Sequence, residues 1–182
     1  MTAIDYDLEF LEDGRTIELI SIGMVCDDGR QYYAVSSDLP KRKIRKHKWL
    51  MENVVPHLPQ GHGDRRNHVP KSWLFDYADP AVKRRERIAD EVMDFIRAAG
   101  PDVQLWANYG AYDHVCLAQL WGRMIDLPEG VPMFTNDIQQ EARRLGFGWD
   151  ELPKQESSEH NALADARHNQ VVRRWLAERA TS

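Results

Sequence analysis

Acidic side chains recur at every second position near the start of the chain, in the stretch IDYDLEFLEDG. In a β-strand this spacing puts Asp5, Asp7 and Glu9 on one face, while the apolar residues between them face the other way. Carboxylates are hard oxygen ligands, which suit Mg²⁺ or Mn²⁺. A single acid-x-acid pair is weak evidence in a chain with 29 acidic residues, because a solvent-facing strand edge gives the same pattern.

Three residues further along the chain could complete a metal site. Asp113 stands at the start of a predicted helix directly after a buried strand, and His160 precedes Asp165 by five positions in HNALADA. Each alone has a simpler explanation, since a helix-start Asp is usually a cap and an isolated His is usually structural. Four carboxylates gathered at one site would repel one another unless cations were bound. Two such ions stabilise both the attacking and the leaving oxygen in phosphodiester cleavage, and a neutral histidine can remove the proton of the attacking water.

Two Asp-Gly pairs organise the N-terminal third of the chain. Asp13-Gly14 and Asp28-Gly29 each separate two runs of strand-forming residues, and Asp-Gly in that setting is a strong hairpin signal. They predict a meander of three antiparallel strands. The middle run, TIELISIGMVC, is apolar at most positions, so we expect both of its faces to be covered.

The remainder predicts helices alternating with strands. A helix is expected near Ile44 to Glu52, and another begins with Asp79 as its cap and Pro80 in its first turn. The later elements are a buried strand VQLWANY, a helix YDHVCLAQLWG, a short strand PMFTND, a helix IQQEARRLG and a long final helix HNALADARHNQVVRRWLAERA. This order predicts an α/β fold, in which helices cover a mixed sheet.

Composition limits the classes of protein. The chain has 182 residues, 42% hydrophobic and 29% charged, with a net charge of -5, which suits one globular domain over 1–182 with a basic, insertion-like segment at about 38–78. No apolar run approaches the roughly 18 residues of a membrane span. No signal peptide is recognisable, so we expect a cytoplasmic protein without membrane association. Cys26 and Cys116 are expected to be buried free thiols.

Three ordered motifs make the sequence resemble the DEDD exonuclease superfamily. DLEF supplies Asp7 and Glu9, NYGAYD ends in Asp113, and HNALAD supplies His160 and Asp165. The histidine at the last motif places the resemblance with the DEDDh branch of 3'-5' exonucleases, because the tyrosine branch would have Tyr at position 161, where this chain has Asn. The wider similarity is to the polyadenylate-specific 3'-exoribonuclease AS type of mycobacteria, and it is weakest between positions 38 and 79.

The resemblance implies an RNase H-like fold, with a five-stranded mixed sheet whose first three strands are antiparallel. It also implies metal-dependent hydrolysis of single-stranded RNA 3' ends, or of 3' overhangs, to nucleoside 5'-monophosphates. Asp7, Glu9 and Asp165 would hold one Mg²⁺ or Mn²⁺ ion, and Asp7 and Asp113 would help to hold a second. His160 would be the general base. Asp5 is left over, as a solvated acid or one that lies behind the metal ligands.

Substrate contacts follow less directly. Phe10 and Leu11 stand where related enzymes stack or wedge the terminal bases. Backbone groups around Glu9 to Glu12 could contact the ribose, and Tyr112 directly precedes Asp113. A DNA exonuclease of the same family and a nucleic-acid-binding module without cleavage are the alternatives.

Related enzymes are often homodimers, and the sequence suggests exposed tryptophans for such an interface. The candidates are Trp49, Trp73 and Trp175, although core packing is the more common use of tryptophan.

Overall fold

A six-stranded mixed sheet forms the centre of the molecule. The computed structural model describes residues 1–61 and 73–180. The strands are β1 (Thr2–Glu12), β2 (Ile17–Cys26), β3 (Gln31–Ser36), β4 (Val82–Lys83), β5 (Val103–Ala107) and β6 (Asn136–Asp137). Their order across the sheet is β4-β3-β2-β1-β5-β6. The pairs β1–β2 and β2–β3 are antiparallel, and the other three pairs are parallel.

Helices of different length connect and cover the strands. The α-helices are α1 (Lys41–Ile44), α2 (Lys48–Asn53), α3 (Arg85–Arg97), α4 (Ala111–Ala118), α5 (Ile138–Arg144) and α6 (Ala162–Ala180). Single 3₁₀ turns span Val55–His57, Met124–Asp126 and Trp149–Glu151. None of the helices within the described ranges has both the length and the apolar composition that crossing a membrane requires.

Both predicted hairpins are confirmed. Gly14 and Gly29 have φ angles of +81° and +91°, a region that glycine enters without steric cost. At the first turn, Asp13 Oδ1 accepts a hydrogen bond from the backbone N–H of Thr16 at 2.9 Å. The mixed α/β sheet, with three antiparallel strands followed by parallel ones, is therefore as expected.

The sheet has one strand more than the five that the resemblance implied. The extra strand β4 lies at the edge, inside the stretch predicted to begin a helix. Val35 N–H donates to the carbonyl of Ala81 at 2.8 Å, and Ser37 N–H donates to that of Lys83 at 2.8 Å. These bonds hold the backbone extended, so α3 begins only at Arg85. The predicted cap at Asp79 was wrong, because no helix starts there: the Asp79 carboxylate accepts from Ala81 N–H at 2.8 Å in a turn that leads into β4 instead.

Apolar clusters lie on both faces of the sheet. On one face, alternate residues of β1 and β2 pack against the apolar stripes of α3 and α4. On the other face, a second cluster joins β2 and β3 to the segment that contains α1 and α2; its members include Ile20, Val35, Ile44, Leu50 and Trp73. The basic segment at 38–78 thus contributes to the core, although its residues 62–72 lie outside the described residues.

The expectation that Trp73 is exposed was wrong, because it is only 5% exposed in this second cluster. Trp49 is half-exposed, and Trp175 is partly buried beside Phe147 at a ring-centroid distance of 4.9 Å.

Helix α6 crosses β1 and β2 at very short range. A Cβ atom at Gly23 would lie 2.3 Å from the carbonyl carbon of Ala162 and 2.4 Å from Cα of Leu163. Only glycine therefore allows the start of α6 to rest on β2. Further along the helix, Asn169 Nδ2 donates to the carbonyl of Tyr6 at 3.0 Å.

A buried ion pair also fastens α6 to β1. Asp5 is 0% exposed, and it accepts two hydrogen bonds of 2.8 Å from the guanidinium of Arg173. The same guanidinium donates to Asp27 at 2.7 Å. Asp5 is thus not a solvated acid. It forms a buried ion pair with Arg173 that joins β1 to α6. Removing one partner of a buried ion pair typically lowers the free energy of unfolding by about 3 to 5 kcal/mol.

Gly23→Ala is predicted to destabilise the protein, because backbone atoms of α6 occupy the position of the new methyl group. We expect the free energy of unfolding to fall by at least about 1 to 3 kcal/mol, the usual cost of overpacking. Urea unfolding measures it. Gly61→Ala is the matched control, since the nearest atom to its Cβ would be 3.5 Å away. Equal stability of the two variants would contradict the close contact.

Candidate active site

One open cavity of about 410 Å³ collects all five residues that the sequence singled out. Asp7 and Glu9 come from β1, Asp113 from α4 and Asp165 from α6, and His160 lies in the turn just before α6. They are far apart in sequence and meet because β1 lies at the centre of the sheet, between β2 and β5. The rest of the wall is formed by Leu8, Phe10, Asn108, Trp149, Pro153, Lys154, Gln155, Glu159, His168 and Asn169.

Strand β1 presents Asp7 and Glu9 on the face that α6 covers. The intervening Leu8 is buried in the core on the opposite face, as the alternation predicted. Glu9 is only 8% exposed, so its carboxylate is largely withdrawn from water.

Asp113 is fixed by a backbone hydrogen bond between elements. Its Oδ1 accepts from the N–H of Leu8 at 2.8 Å, which ties the first turn of α4 to the middle of β1. Gly110 precedes this turn, and its N–H donates to Asp137 at 2.7 Å. A Cβ at Gly110 would approach Cβ of Ala107 to 2.8 Å, so a glycine lets α4 start close to the end of β5.

His160 and Asp165 flank the beginning of α6. His160 has a φ angle of +64°, which is uncommon for a residue with a side chain. Asn161 Oδ1 then accepts from Ala164 N–H at 3.0 Å, and Gln155 Nε2 donates to Asp165 Oδ1 at 2.7 Å. Potential ligand atoms of Glu9, His160 and Asp165 all lie within 4.8 Å of one another.

Burial and neighbouring negative charges raise the pKa values of the acids in this cavity. Burial raises the pKa of Asp7 well above its usual range, and the charges of Asp113, Glu9 and Asp165 add to the shift. Burial, with the charges of Asp165 and Asp113, raises the pKa of Glu9 to about 8. Burial also raises the pKa of Asp113 to about 7, against the opposing effect of the Leu8 N–H.

Asp165 follows the same trend. Burial raises its pKa, while hydrogen bonds from Gln155 and from the backbone of His160 act in the opposite direction. Each shift means that the folded protein disfavours the ionised carboxylate when nothing neutralises it.

The four carboxylates of the cavity have no basic side chain paired with them among the described residues. Within residues 1–61 and 73–180, no Lys or Arg forms an ion pair with Asp7, Glu9, Asp113 or Asp165. Asp5, on the same strand, shows the contrast, since Arg173 neutralises it at 2.8 Å. Clustered oxygen ligands without a protein cation fit one or more divalent metal ions, which would supply the missing positive charge.

A comparison with protein families gives one match that covers almost the whole chain. The model of the 3'-5' exoribonuclease Rv2179c-like domain matches residues 2–176. The chain belongs to this family. The exonuclease resemblance drawn from the three motifs is thereby confirmed.

Relatives agree with this assignment. The chain is 43% identical over 165 residues to 3'-5' exoribonuclease Rv2179c of Mycobacterium tuberculosis strain H37Rv, covering 89% of this chain and 85% of the relative. The 3'-5' exoribonuclease MT2234.1 of strain CDC 1551 / Oshkosh gives the same figures.

Solved structures show a weaker similarity. The Mg²⁺ and Mn²⁺ bound form of Pop2p from S. pombe has a TM-score of 0.47 at 13% identity, with 98% of this chain and 82% of that chain covered. The yeast NOT1 MIF4G domain co-crystallized with CAF1 gives a TM-score of 0.44 at 12% identity, with 91% and 76% covered.

The four predicted substrate contacts separate into two groups. Phe10 lines the cavity, and its ring lies nearly parallel to that of Tyr112, at 15° with centroids 6.3 Å apart. Tyr112 lines a second cavity of about 410 Å³. Leu11 is instead buried in the second core cluster, and Glu12 accepts a hydrogen bond from Gly14 in the hairpin turn. The structure does not bring these two side chains to the cavity.

Sequence reasoning missed several residues of the cavity wall. Asn169 shares the helical face of Asp165, so the spacing of α6 could have revealed it. Trp149, Lys154 and Gln155 come from the irregular segment between α5 and α6, where no periodicity indicates which side chains point inward.

Glu9→Gln is predicted to stabilise the metal-free protein as the pH rises. The folded-state pKa of Glu9 is about 8, against an ordinary value of 4.5, so its stabilising contribution is complete below about pH 4.5 and is lost as the pH approaches 8. Relative to the wild type, the variant should gain up to about 1.4 kcal/mol of unfolding free energy per pH unit in this window.

Urea unfolding of both proteins in EDTA across this pH range measures the difference in their unfolding free energies. With Mn²⁺ in place of EDTA, the wild type should become the more stable of the two. A difference that does not change with pH would contradict the raised pKa.

Proposed function

We propose that this protein is a metal-dependent 3'-5' exoribonuclease that hydrolyses single-stranded RNA 3' ends, or 3' overhangs, to nucleoside 5'-monophosphates. The proposal is supported above all by the convergence of four unneutralised carboxylates and one imidazole in an open cavity, in a member of an exoribonuclease family.

Four carboxylates are proposed to hold two Mg²⁺ or Mn²⁺ ions. Asp7, Glu9 and Asp165 would bind one ion, and Asp7 and Asp113 would help to bind the other. Two bound ions supply positive charge that stabilises both the attacking and the leaving oxygen of an in-line phosphodiester hydrolysis. The fit is chemical: these are hard oxygen donors, and burial makes their uncompensated charge costly.

His160 is proposed to act as the general base. Its neutral imidazole would take a proton from the attacking water, whose oxygen forms the new bond to phosphorus. The bond between phosphorus and the 3' oxygen breaks, and the shortened RNA leaves with a 3' hydroxyl. The position of His160 suits this role, since its ring lies within 4.8 Å of ligand atoms of Glu9 and Asp165.

An aromatic pair is proposed to receive the terminal bases. Phe10 lines the cavity and its ring lies nearly parallel to that of Tyr112. Stacking on such rings is worth about 1 to 3 kcal/mol per base whatever the sequence. The basic run Arg45–Lys48 is exposed and directly precedes Trp49, whose ring contacts His160. This run is therefore a candidate surface for the phosphates upstream of the cleaved bond.

Selection of RNA over DNA would require a contact with the ribose 2'-hydroxyl, and membership of an exoribonuclease family favours RNA. A DNA exonuclease would use the same acids, and a module that binds without cleaving would leave both substrates intact.

The proposed location is the cytoplasm. Cys26 and Cys116 are free and buried, which suits a reducing compartment. The homodimer that the resemblance implied stays a prediction.

Incubation with Mg²⁺ or Mn²⁺ is expected to shorten 5'-labelled single-stranded RNA stepwise from its 3' end and to release nucleoside 5'-monophosphates. EDTA should stop the reaction. Matched DNA and blunt-ended duplex RNA separate the alternatives, because faster cleavage of DNA would assign a DNA exonuclease.

The control for this assay is Asp7→Ala, which should retain the fold and lose nearly all turnover. RNA left at full length by the intact wild-type protein, in the presence of metal, would refute the proposed function.

His160→Ala is predicted to slow the chemical step by about 10² to 10⁴ while leaving Mn²⁺ affinity nearly unchanged, because a general base need not hold the metal. Single-turnover rates at saturating RNA and Mn²⁺ titrations measure the two quantities. If metal affinity collapses along with the rate, His160 serves as a ligand instead.

A further inference from the structure

The orientation of the His160 imidazole is not explained by its own segment. The residue lies in a turn in which both Ser158 and His160 have positive φ angles, +62° and +64°. Within the described parts of the chain, its ring makes no hydrogen bond that would fix it. The backbone of the turn is determined, but the side chain needs a contact from elsewhere to stay beside the acids.

That contact comes from Trp49 in helix α2. The indole and imidazole rings have centroids 4.7 Å apart and planes at 75°, an edge-to-face arrangement that aromatic rings favour. The two residues are 111 positions apart in sequence, and they belong to structures on the same face of the sheet. Trp49 is also 47% exposed, so one side of the indole closes on His160 while much of the ring still faces solvent.

Helix α2 is anchored well enough to act as a support. Its N-terminus is capped by His47, whose Nδ1 accepts from Leu50 N–H at 3.2 Å. Leu50 and Val54 are buried in the second core cluster. Asn53 Nδ2 donates to the carbonyl of Trp49 at 2.8 Å. The buried side of the short helix therefore holds it on the sheet, and Trp49 lies outside that core and contacts His160.

We propose that Trp49 is a positioning residue that holds the imidazole of His160 beside Glu9 and Asp165. This inference rests on the proposed function, because it concerns the orientation of the proposed general base. Through Trp49, the insertion-like basic segment at about 38–78 would contact and support the turn that contains His160. The other side of that turn is supported by α6, whose start rests on Gly23.

The competing role for an exposed tryptophan beside an RNA site is to stack on a base. The two roles make different demands. A positioning contact exists in the free protein and affects the rate at which bound RNA is cleaved. A stacking platform affects the affinity for RNA, and its removal leaves His160 unchanged in the free protein.

The first test observes the contact without using activity. Ring signals of His160 are recorded by NMR in the metal-free protein with isotopically labelled histidine, and His160→Ala identifies them. The indole ring current should displace these signals, and Trp49→Ala should return them toward their ordinary positions. Met51→Ala, on the same helix and packed against the second core cluster, should leave them in place.

The second test is kinetic. Trp49→Ala should lower the single-turnover rate at saturating RNA by about 2- to 12-fold, the factor that corresponds to an aromatic pair, with little change in KM. Trp49→Phe keeps a ring and should restore most of the rate. Met51→Ala should have nearly the wild-type rate.

The outcomes separate the inference from the function on which it rests. His160 signals that do not move in Trp49→Ala would overturn the inference, as would an unchanged single-turnover rate. A raised KM with an unchanged rate would assign Trp49 to base stacking instead. Failure of the wild-type protein to shorten RNA would remove the proposed function itself, whatever the NMR signals show.

Discussion

Electrostatic repulsion among four carboxylates is the constraint on which the rest of this structure depends. Asp7, Glu9, Asp113 and Asp165 meet in one cavity, where burial raises the pKa of each. Repulsion from the other acids of the cavity raises the pKa values of Asp7 and Glu9 further. A protein gains nothing in stability from such an arrangement, because ionised carboxylates in a poorly solvated cleft are costly. The divalent metal ions that we propose at this site would offset the cost, because they supply the positive charge that the protein does not.

Contacts just outside the cavity oppose this repulsion. The charge of Asp165 on α6 repels the acids of β1, but two contacts hold the helix on the sheet. Gly23 lets the start of the helix rest on β2, and further along the helix Arg173 donates to Asp5 of β1. Asp5 and Asp7 are two residues apart on the same face of one strand. One is neutralised by the protein and the other is left for a cation.

Much of this could be predicted from the sequence, because the signals were local. Hairpins follow from Asp-Gly pairs, the apolar stripe of α3 from its period, and the five motif residues from types and spacing that occur together in one family. Signals failed where tertiary contacts decided the outcome. Backbone pairing with β3 makes residues 82–83 a strand, although the sequence predicts a helix from Asp79. Trp73, predicted to be exposed, and Leu11, predicted to contact substrate, are both buried in the core. The partnership of Asp5 with Arg173 and that of Trp49 with His160 join positions more than 100 residues apart, which no local pattern encodes.

Calorimetric titration of Mn²⁺ into the metal-free protein at pH 7, repeated in buffers of different ionisation enthalpy, tests the central claim most directly. With pKa values of about 8 for Glu9 and about 7 for Asp113, these carboxyls are partly protonated before the metal binds. Metal binding should therefore release protons to the buffer, with two ions bound per chain. Absence of binding, or binding without proton release, would contradict the view that repulsion among these acids is relieved by the metal.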